Sequence, residues 1–185
     1  MTTKLPLTNA IVLDRDGVIN YDSDDYIKSP DEWLPIEGSI EAISRLHKAG
    51  IKVVVATNQS GIARGLYDEA TLQKIHAKMN RLISEAGGEL AGIFYCPHGP
   101  DDGCDCRKPL PGLIQQMAEQ LGIKPAGIPI VGDSVRDLVA GEALGCLPVL
   151  VRTGKGLRSL ASGNVKPETP VFDDLASFVD VWLQN

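Results

Sequence analysis

No apolar stretch in this 185-residue chain approaches the roughly 18–20 residues needed to cross a bilayer. The longest, residues 143–151, is about half that length and contains Pro148. The opening MTTKLPLTNA lacks the apolar core of a signal peptide, so a cytoplasmic protein is expected. Basic residues are too few for a general nucleic-acid or anionic-membrane binder: 18 Lys+Arg stand against 24 Asp+Glu, a net charge of −6. Aromatic residues make up only 5%, which leaves no interleaved basic–aromatic surface for bases to stack on. Only four cysteines occur, and three of them crowd into residues 96–106. In a reducing compartment that crowding points to a metal and away from disulfides. Low-complexity tracts, internal repeats and linker compositions are all missing, so residues 1–185 are expected to form a single domain.

What is present alternates. Residues 10–13, 51–56, 92–95, 128–131 and 147–151 are short apolar runs that predict strands, with a last one near Val171. Between them lie helical patterns. Ile40, Ile43 and Leu46 share a face ahead of a stop at Gly50. Asp68 caps a long helix carrying Leu72, Ile75, Met79, Leu82 and Ile83, which ends at Gly87-Gly88. Pro111 opens a third helix, residues about 134–144 form a fourth, and a helix from about Asp174 closes the chain. The order βαβα predicts an α/β fold: a mostly parallel sheet with helices on both faces. In such sheets ligands bind beyond the carboxyl ends of the strands, which draws attention to the residues just after each run.

Those residues are chemically loaded. The first strand delivers Asp14-Arg15-Asp16-Gly17, the second Thr57-Asn58-Gln59-Ser60-Gly61, and the fourth Gly132-Asp133-Ser134 with Asp137 one turn along. A loop ahead of the third helix ends in Arg107-Lys108-Pro109. Each set alone is ordinary turn or capping chemistry. Together, in order and on one edge of the sheet, they predict a phosphoryl-transfer site. Asp14 is suited to attack phosphorus and form an aspartyl-phosphate. An oxygen-ligated Mg²⁺ held by Asp14 and Asp133 would offset the repulsion between two anions. Lys108 and the Thr57 hydroxyl would stabilise the transferring oxygens, and Asp16 would serve as acid and then base, a double role needing a raised pKa when substrate is bound.

The remaining cluster reads C-x-H-x5-C-x-C: Cys96, His98, Cys104 and Cys106. Three thiolates and one imidazole make a closed tetrahedral Zn²⁺ set, predicting a structural zinc loop over about 96–106 that ends directly at Arg107-Lys108. Cys146, Trp33 and Trp182 read as core residues, and His47 and His76 as structural members of helices.

LDRDGVIN, ATNQSG, CRKP and VGDSVRD resemble, in order, the four motifs of the haloacid dehalogenase (HAD) phosphatase superfamily across residues 11–153. The resemblance implies a Rossmann-like HAD core, with Asp14 as nucleophile, Asp16 as acid/base, Thr57 and Lys108 as phosphoryl stabilisers and Asp133 as a Mg²⁺ ligand. It also implies that Asp16 contributes its backbone carbonyl to Mg²⁺. No segment is large enough for the separate cap domain many members carry. The Cys/His loop and VRTGKG at 151–156 narrow the likeness to the zinc-loop heptose bisphosphate phosphatases, cytoplasmic enzymes that remove the 7-phosphate of a sugar bisphosphate on the route to nucleotide-activated heptose for lipopolysaccharide. That likeness implies a small-molecule sugar bisphosphate substrate, no nucleic-acid or membrane partner, a monomer, and substrate contacts from Asp22, Ser23, Asp24, Asp25, Asn58, Gln59, Ser60 and Arg107. Where some members carry Lys after the fourth-motif Asp, Ser134 stands here, leaving Arg64, Arg136 and Lys155 as cations for a distal phosphate. Two alternatives stay open: a histidinol-phosphate phosphatase, whose members also carry a zinc loop, and a non-catalytic sugar-phosphate-binding module.

Overall fold

Alternating strands and helices can bury their apolar residues only by stacking in layers, and the computed structural model arranges them as three. It describes residues 5–184; the first four positions of the opening read for a signal peptide, and Asn185, lie outside that range. Six strands form one sheet: β1 Ala10–Leu13, β2 Lys52–Asn58, β3 Gly92–Cys96, β4 Pro129–Gly132, β5 Leu147–Val151 and β6 Val171–Phe172. Their order is β3-β2-β1-β4-β5-β6, and every neighbouring pair is parallel. The helices are α1 Ser39–Lys48, α2 Glu69–Glu85, α3 Gly112–Leu121, α4 Val135–Glu142, α5 Gly156–Ala161 and α6 Leu175–Trp182.

Strand side chains alternate between two cores, as the period of two requires. Ile11 and Leu13 of β1, Val53 and Val55 of β2 and Val131 of β4 face one core with residues of α1, α2 and α6. Ala10, Val12, Val54, Ala56 and Ile130 face the other, which is closed by Leu113, Ile114 and Met117 of α3 and Ala140 of α4. Trp33 and Trp182 are fully buried in the first, as their sequence context suggests. Both faces being covered explains why the strands read as unbroken β-branched runs. No separate cap is evident, and among the described residues no helix is long and apolar enough to cross a membrane.

The expected elements recur with small shifts. Asp68 caps α2 by accepting from the Thr71 backbone N–H, and Asp174 caps α6 by accepting from that of Ser177. β2 runs two residues beyond Ala56, so Thr57 and Asn58 sit on a strand and not in a loop. The helix α5 escapes sequence reading: six residues are too few for a 3.6-residue period to show.

Candidate active site

The strand order sets β2, β1 and β4 side by side. Asp14 follows β1, Thr57 lies at the end of β2, and Asp133 follows β4, so three adjacent strands aim three polar side chains at one point. Lys108 reaches the same point from the loop ahead of α3. They line a cleft of about 360 Å³, within the range of small-molecule sites. Two glycines let the floor close. Gly17 adopts φ 84°, and a Cβ there would lie 2.1 Å from an Asp133 carboxylate oxygen. At Gly154, φ 56°, a Cβ would lie 2.2 Å from the same oxygen.

The charges of the cleft are arranged around Lys108. Its ammonium lies 2.6 Å from Asp137 Oδ1 and 3.0 Å from Asp14 Oδ1, and donates to the Ala56 carbonyl at 2.7 Å. Burial would lower its pKa, but the two carboxylates outweigh that and raise it, so it stays charged. Asn58 holds the Lys108 backbone at both ends. Its amide donates to the carbonyl and its oxygen accepts from the N–H, each at 3.0 Å. Asp137 also caps α4 by accepting from the Ser134 backbone N–H, so one side chain ties the helix start to the buried cation. The sequence marks Asp137 only by its spacing; its pairing with Lys108 needs the fold.

One lysine does not balance the carboxylates. Burial, then the charge of Asp137, push Asp14 up to about 7, and burial followed by the charge of Asp14 push Asp133 up to about 8. Asp14, Asp133 and Asp137 bring carboxylate oxygens within 4.8 Å of one another. Asp14 Oδ1 is engaged by the Arg15 N–H and Lys108, and Asp133 Oδ2 by the Lys155 N–H at 2.7 Å. Asp14 Oδ2 and Asp133 Oδ1 have no hydrogen-bond partner among the described residues. Two free oxygens in an over-negative, all-oxygen pocket fit a hard divalent cation.

Asp16 is treated differently. Its carboxylate accepts from Arg15 Nε and Nη2, Asn20 Nδ2 and Gln59 Nε2 at 2.9–3.1 Å. Burial alone would raise its pKa; the Arg15 charge and these hydrogen bonds outweigh that and lower it. The Arg15 guanidinium is wholly buried, which its place between two aspartates gives no hint of.

The cysteine loop converges as its spacing predicts. Cys96 Sγ lies 3.7 Å from Cys104 Sγ, 3.0 Å from Cys106 Sγ and 3.6 Å from His98 Nδ1, and His98 Nδ1 lies 3.3 Å from Cys106 Sγ. None of these is a disulfide. Ligands about 2.0–2.3 Å from a tetrahedral centre are separated by roughly 3.3–3.8 Å, and three of the four distances lie in that interval. The cluster can therefore hold a metal ion.

The other sequence-flagged residues separate into groups. Asp22, Ser23, Asp24, Asn58, Gln59, Ser60 and Arg107 line the cleft; Asp25 does not. Asp22 pairs with Lys155 at 3.0 Å and Asp24 with Arg158 at 2.9 Å, which ties the loop after β1 to α5. Lys155 is therefore engaged, whereas the Arg136 side chain has no hydrogen-bond or ion-pair partner among the described residues. The Arg64 guanidinium stands 5.8 Å from the Tyr26 ring centroid.

The chain is similar to known proteins. Residues 10–141 match the family model for polynucleotide kinase 3 phosphatase, and residues 105–178 match that for HAD-like hydrolases. The chain is 60% identical over 175 residues to a Pseudomonas aeruginosa protein named D-glycero-beta-D-manno-heptose-1,7-bisphosphate 7-phosphatase, covering 94% of this chain and 97% of the relative. A Neisseria meningitidis protein of the same name is 50% identical over 177 residues, covering 95% of each. The crystal structure of a D,D-heptose 1,7-bisphosphate phosphatase from B. bronchiseptica, complexed with magnesium and phosphate, superimposes with a TM-score of 0.93 at 54% identity, covering 96% of this chain and 99% of that one.

Proposed function

Because the chain belongs to the heptose-1,7-bisphosphate 7-phosphatase family of HAD hydrolases, we propose that it removes the 7-phosphate of the β-anomer of D-glycero-D-manno-heptose 1,7-bisphosphate through Asp14. The reading is carried by one observation: Asp14, Thr57, Lys108 and Asp133, from four separate segments, surround one cleft. Four further cations line that cleft, Arg64, Arg107, Arg136 and Lys155, which suits a substrate carrying a second phosphate. Residues 1–185 act as one phosphatase domain. A monomer suffices for this reaction, and the unpaired thiols suit the cytoplasm.

One carboxylate oxygen of Asp14 attacks the 7-phosphorus, and the bond to the sugar oxygen breaks. The charge of Lys108 and the Thr57 hydroxyl stabilise the phosphoryl oxygens as charge shifts onto them. Asp16 gives its proton to the departing sugar oxygen. The lowered pKa of Asp16 in the substrate-free site is opposed by the incoming phosphate dianion, whose charge favours the protonated acid. Water then loses a proton to Asp16 and attacks phosphorus; the acyl-phosphate bond breaks and the Asp14 carboxylate returns. Asp14 and Asp133, with the Asp16 backbone carbonyl, would hold Mg²⁺, which supplies charge neutralisation that lets one anion approach another.

The decisive comparison is steady-state hydrolysis of both heptose bisphosphate anomers and histidinol phosphate, with ³¹P NMR to identify the product. The β-anomer should lead histidinol phosphate by at least about tenfold in kcat/KM and leave the sugar 1-phosphate. A preference for histidinol phosphate would reverse the assignment.

Cys96, His98, Cys104 and Cys106 hold a structural Zn²⁺ in this reading. Burial pushes the Cys96 and Cys106 thiols up, so a bound dication is what would keep them as thiolates. Arg107 donates to the His98 carbonyl at 3.2 Å, which links the loop to the cleft. The protein should carry about one zinc per chain. Cys104→Ser should lose that zinc and roughly tenfold or more of kcat/KM, because the segment holding Arg107 and Lys108 loosens. Zinc-free protein of full activity would refute the assignment.

A further inference from the structure

We propose that Gln59, braced by Arg15, Tyr67 and His76, is a positioning residue that fixes Asp16 for proton transfer to the leaving group. The inference rests on the reading above, in which Asp16 supplies that proton.

Gln59 has the residue type of a sugar-binding side chain, and the family resemblance places it among the expected substrate contacts. Its hydrogen bonds leave it no capacity for that. Nε2 donates to Asp16 Oδ2 and to Thr57 Oγ1, both at 2.9 Å. Oε1 accepts from Arg15 Nη2 at 3.2 Å and from the Tyr67 hydroxyl at 2.6 Å. A primary amide offers two N–H donors and two lone pairs, and all four are used. The orientation of the amide is settled chemically as well. A guanidinium can only donate and a carboxylate only accept, so reversing the amide would break both contacts. One side chain therefore fixes Asp16 and Thr57 relative to one another.

The brace behind Gln59 is buried and complete. Arg15 is 0% exposed and splits its donors among Asp16, Gln59 and His76, whose Nε2 lies 3.3 Å from Arg15 Nη1. Because Arg15 only donates, His76 Nε2 accepts, which places the imidazole proton on Nδ1. Burial, then the Arg15 charge, hold the His76 pKa down to about 3, so the ring stays neutral in this role. Tyr67 reaches Gln59 only because residue 61 is glycine: a Cβ there would lie 2.3 Å from the Tyr67 ring. The Thr57–Gly61 motif thus contains one residue facing the phosphate, one holding the acid, and one clearing space for the brace.

A positioning role for proton transfer makes a prediction that a purely structural role does not. An alkyl phosphate needs its leaving oxygen protonated, whereas p-nitrophenyl phosphate, with a leaving group of low basicity, does not. Gln59→Leu and Tyr67→Phe should be assayed on heptose bisphosphate and on p-nitrophenyl phosphate, with Asp16→Asn as benchmark. Acid catalysis is worth roughly 10²–10⁴-fold, so Gln59→Leu should lower kcat/KM on the sugar phosphate by about 10²-fold or more. On the aryl phosphate the loss in kcat/KM, which reports only the steps up to release of the first product and so leaves out the hydrolysis of the acyl-phosphate in which Asp16 acts as base, should stay below about tenfold. Tyr67→Phe, which keeps the ring and removes one hydrogen bond, should show the same asymmetry in weaker form. Equal losses on the two substrates, no loss on either, or a rise in KM alone would overturn the proposal. If Asp16→Asn itself showed no leaving-group asymmetry, the assignment of Asp16 would fail instead.

Discussion

Asp14→Asn should abolish phosphate release while leaving the protein at least as stable as the parent in magnesium-free buffer. The activity side follows from the covalent route: an amide oxygen cannot form the acyl-phosphate, and removing a nucleophile elsewhere costs on the order of 10⁴–10⁶-fold in kcat. The stability side follows from the site's charge. An acid pushed up to about 7 from the ordinary carboxylate range is penalised in the folded chain whenever it is ionised. That penalty is absent below about pH 4, grows as pH rises, and is complete above about pH 7. At pH 8 the amide removes it, against the loss of the contact to Lys108, for a net gain on the order of 1–2 kcal/mol. Chemical denaturation at pH 8 and pH 4.5 tests this: the gain should appear at the higher pH and fade at the lower. A variant that is both inactive and unfolded would give Asp14 a structural role instead.

Lys108→Met carries the second large effect, in the opposite direction. Methionine replaces much of the lysine stem, so the change isolates the charge. Without the ammonium, Asp14 and Asp137 lose the cation 3.0 and 2.6 Å away and remain buried beside Asp133. Breaking a buried pair by removing one partner costs about 3–5 kcal/mol. The loss should shrink when Asp14→Asn is combined with it, since one of the stranded charges is then gone. Turnover should fall by roughly 10²–10³-fold or more, the range for loss of one preorganised charge-stabilising group. Urea unfolding of both single variants and the double variant would measure the coupling. Additive losses would contradict the geometry.

Much of this site is legible along the chain because its parts are local. Asp14, Thr57 and Asp133 each follow a β-branched run, and the parallel order then forces those runs to end on one edge. The C-x-H-x5-C-x-C loop is equally local: its ligands span eleven residues, and spacing alone brings them together. What stays hidden is whatever depends on distant partners. Gln59 reads as a substrate contact until Arg15 and Tyr67, from two other segments, are seen to occupy its oxygen. Asp22 and Asp24 are expected as substrate contacts, and the cations that pair with them lie more than 130 residues away on α5 and the turn before it. Arg15 has no periodicity to place it; burial beside Asp16 and His76 becomes visible only once α2 packs against the sheet. His76 for the same reason reads as a plain helix residue.

The most direct measurement concerns the bond this account places at position 14. Enzyme turning over heptose bisphosphate should be quenched with borohydride, which reduces an acyl-phosphate to the alcohol, and the peptides mapped by mass spectrometry. Homoserine should appear at position 14, formed only with substrate and magnesium present. Continued turnover with no reduced residue, or reduction at Asp16, Asp133 or Asp137, would contradict it.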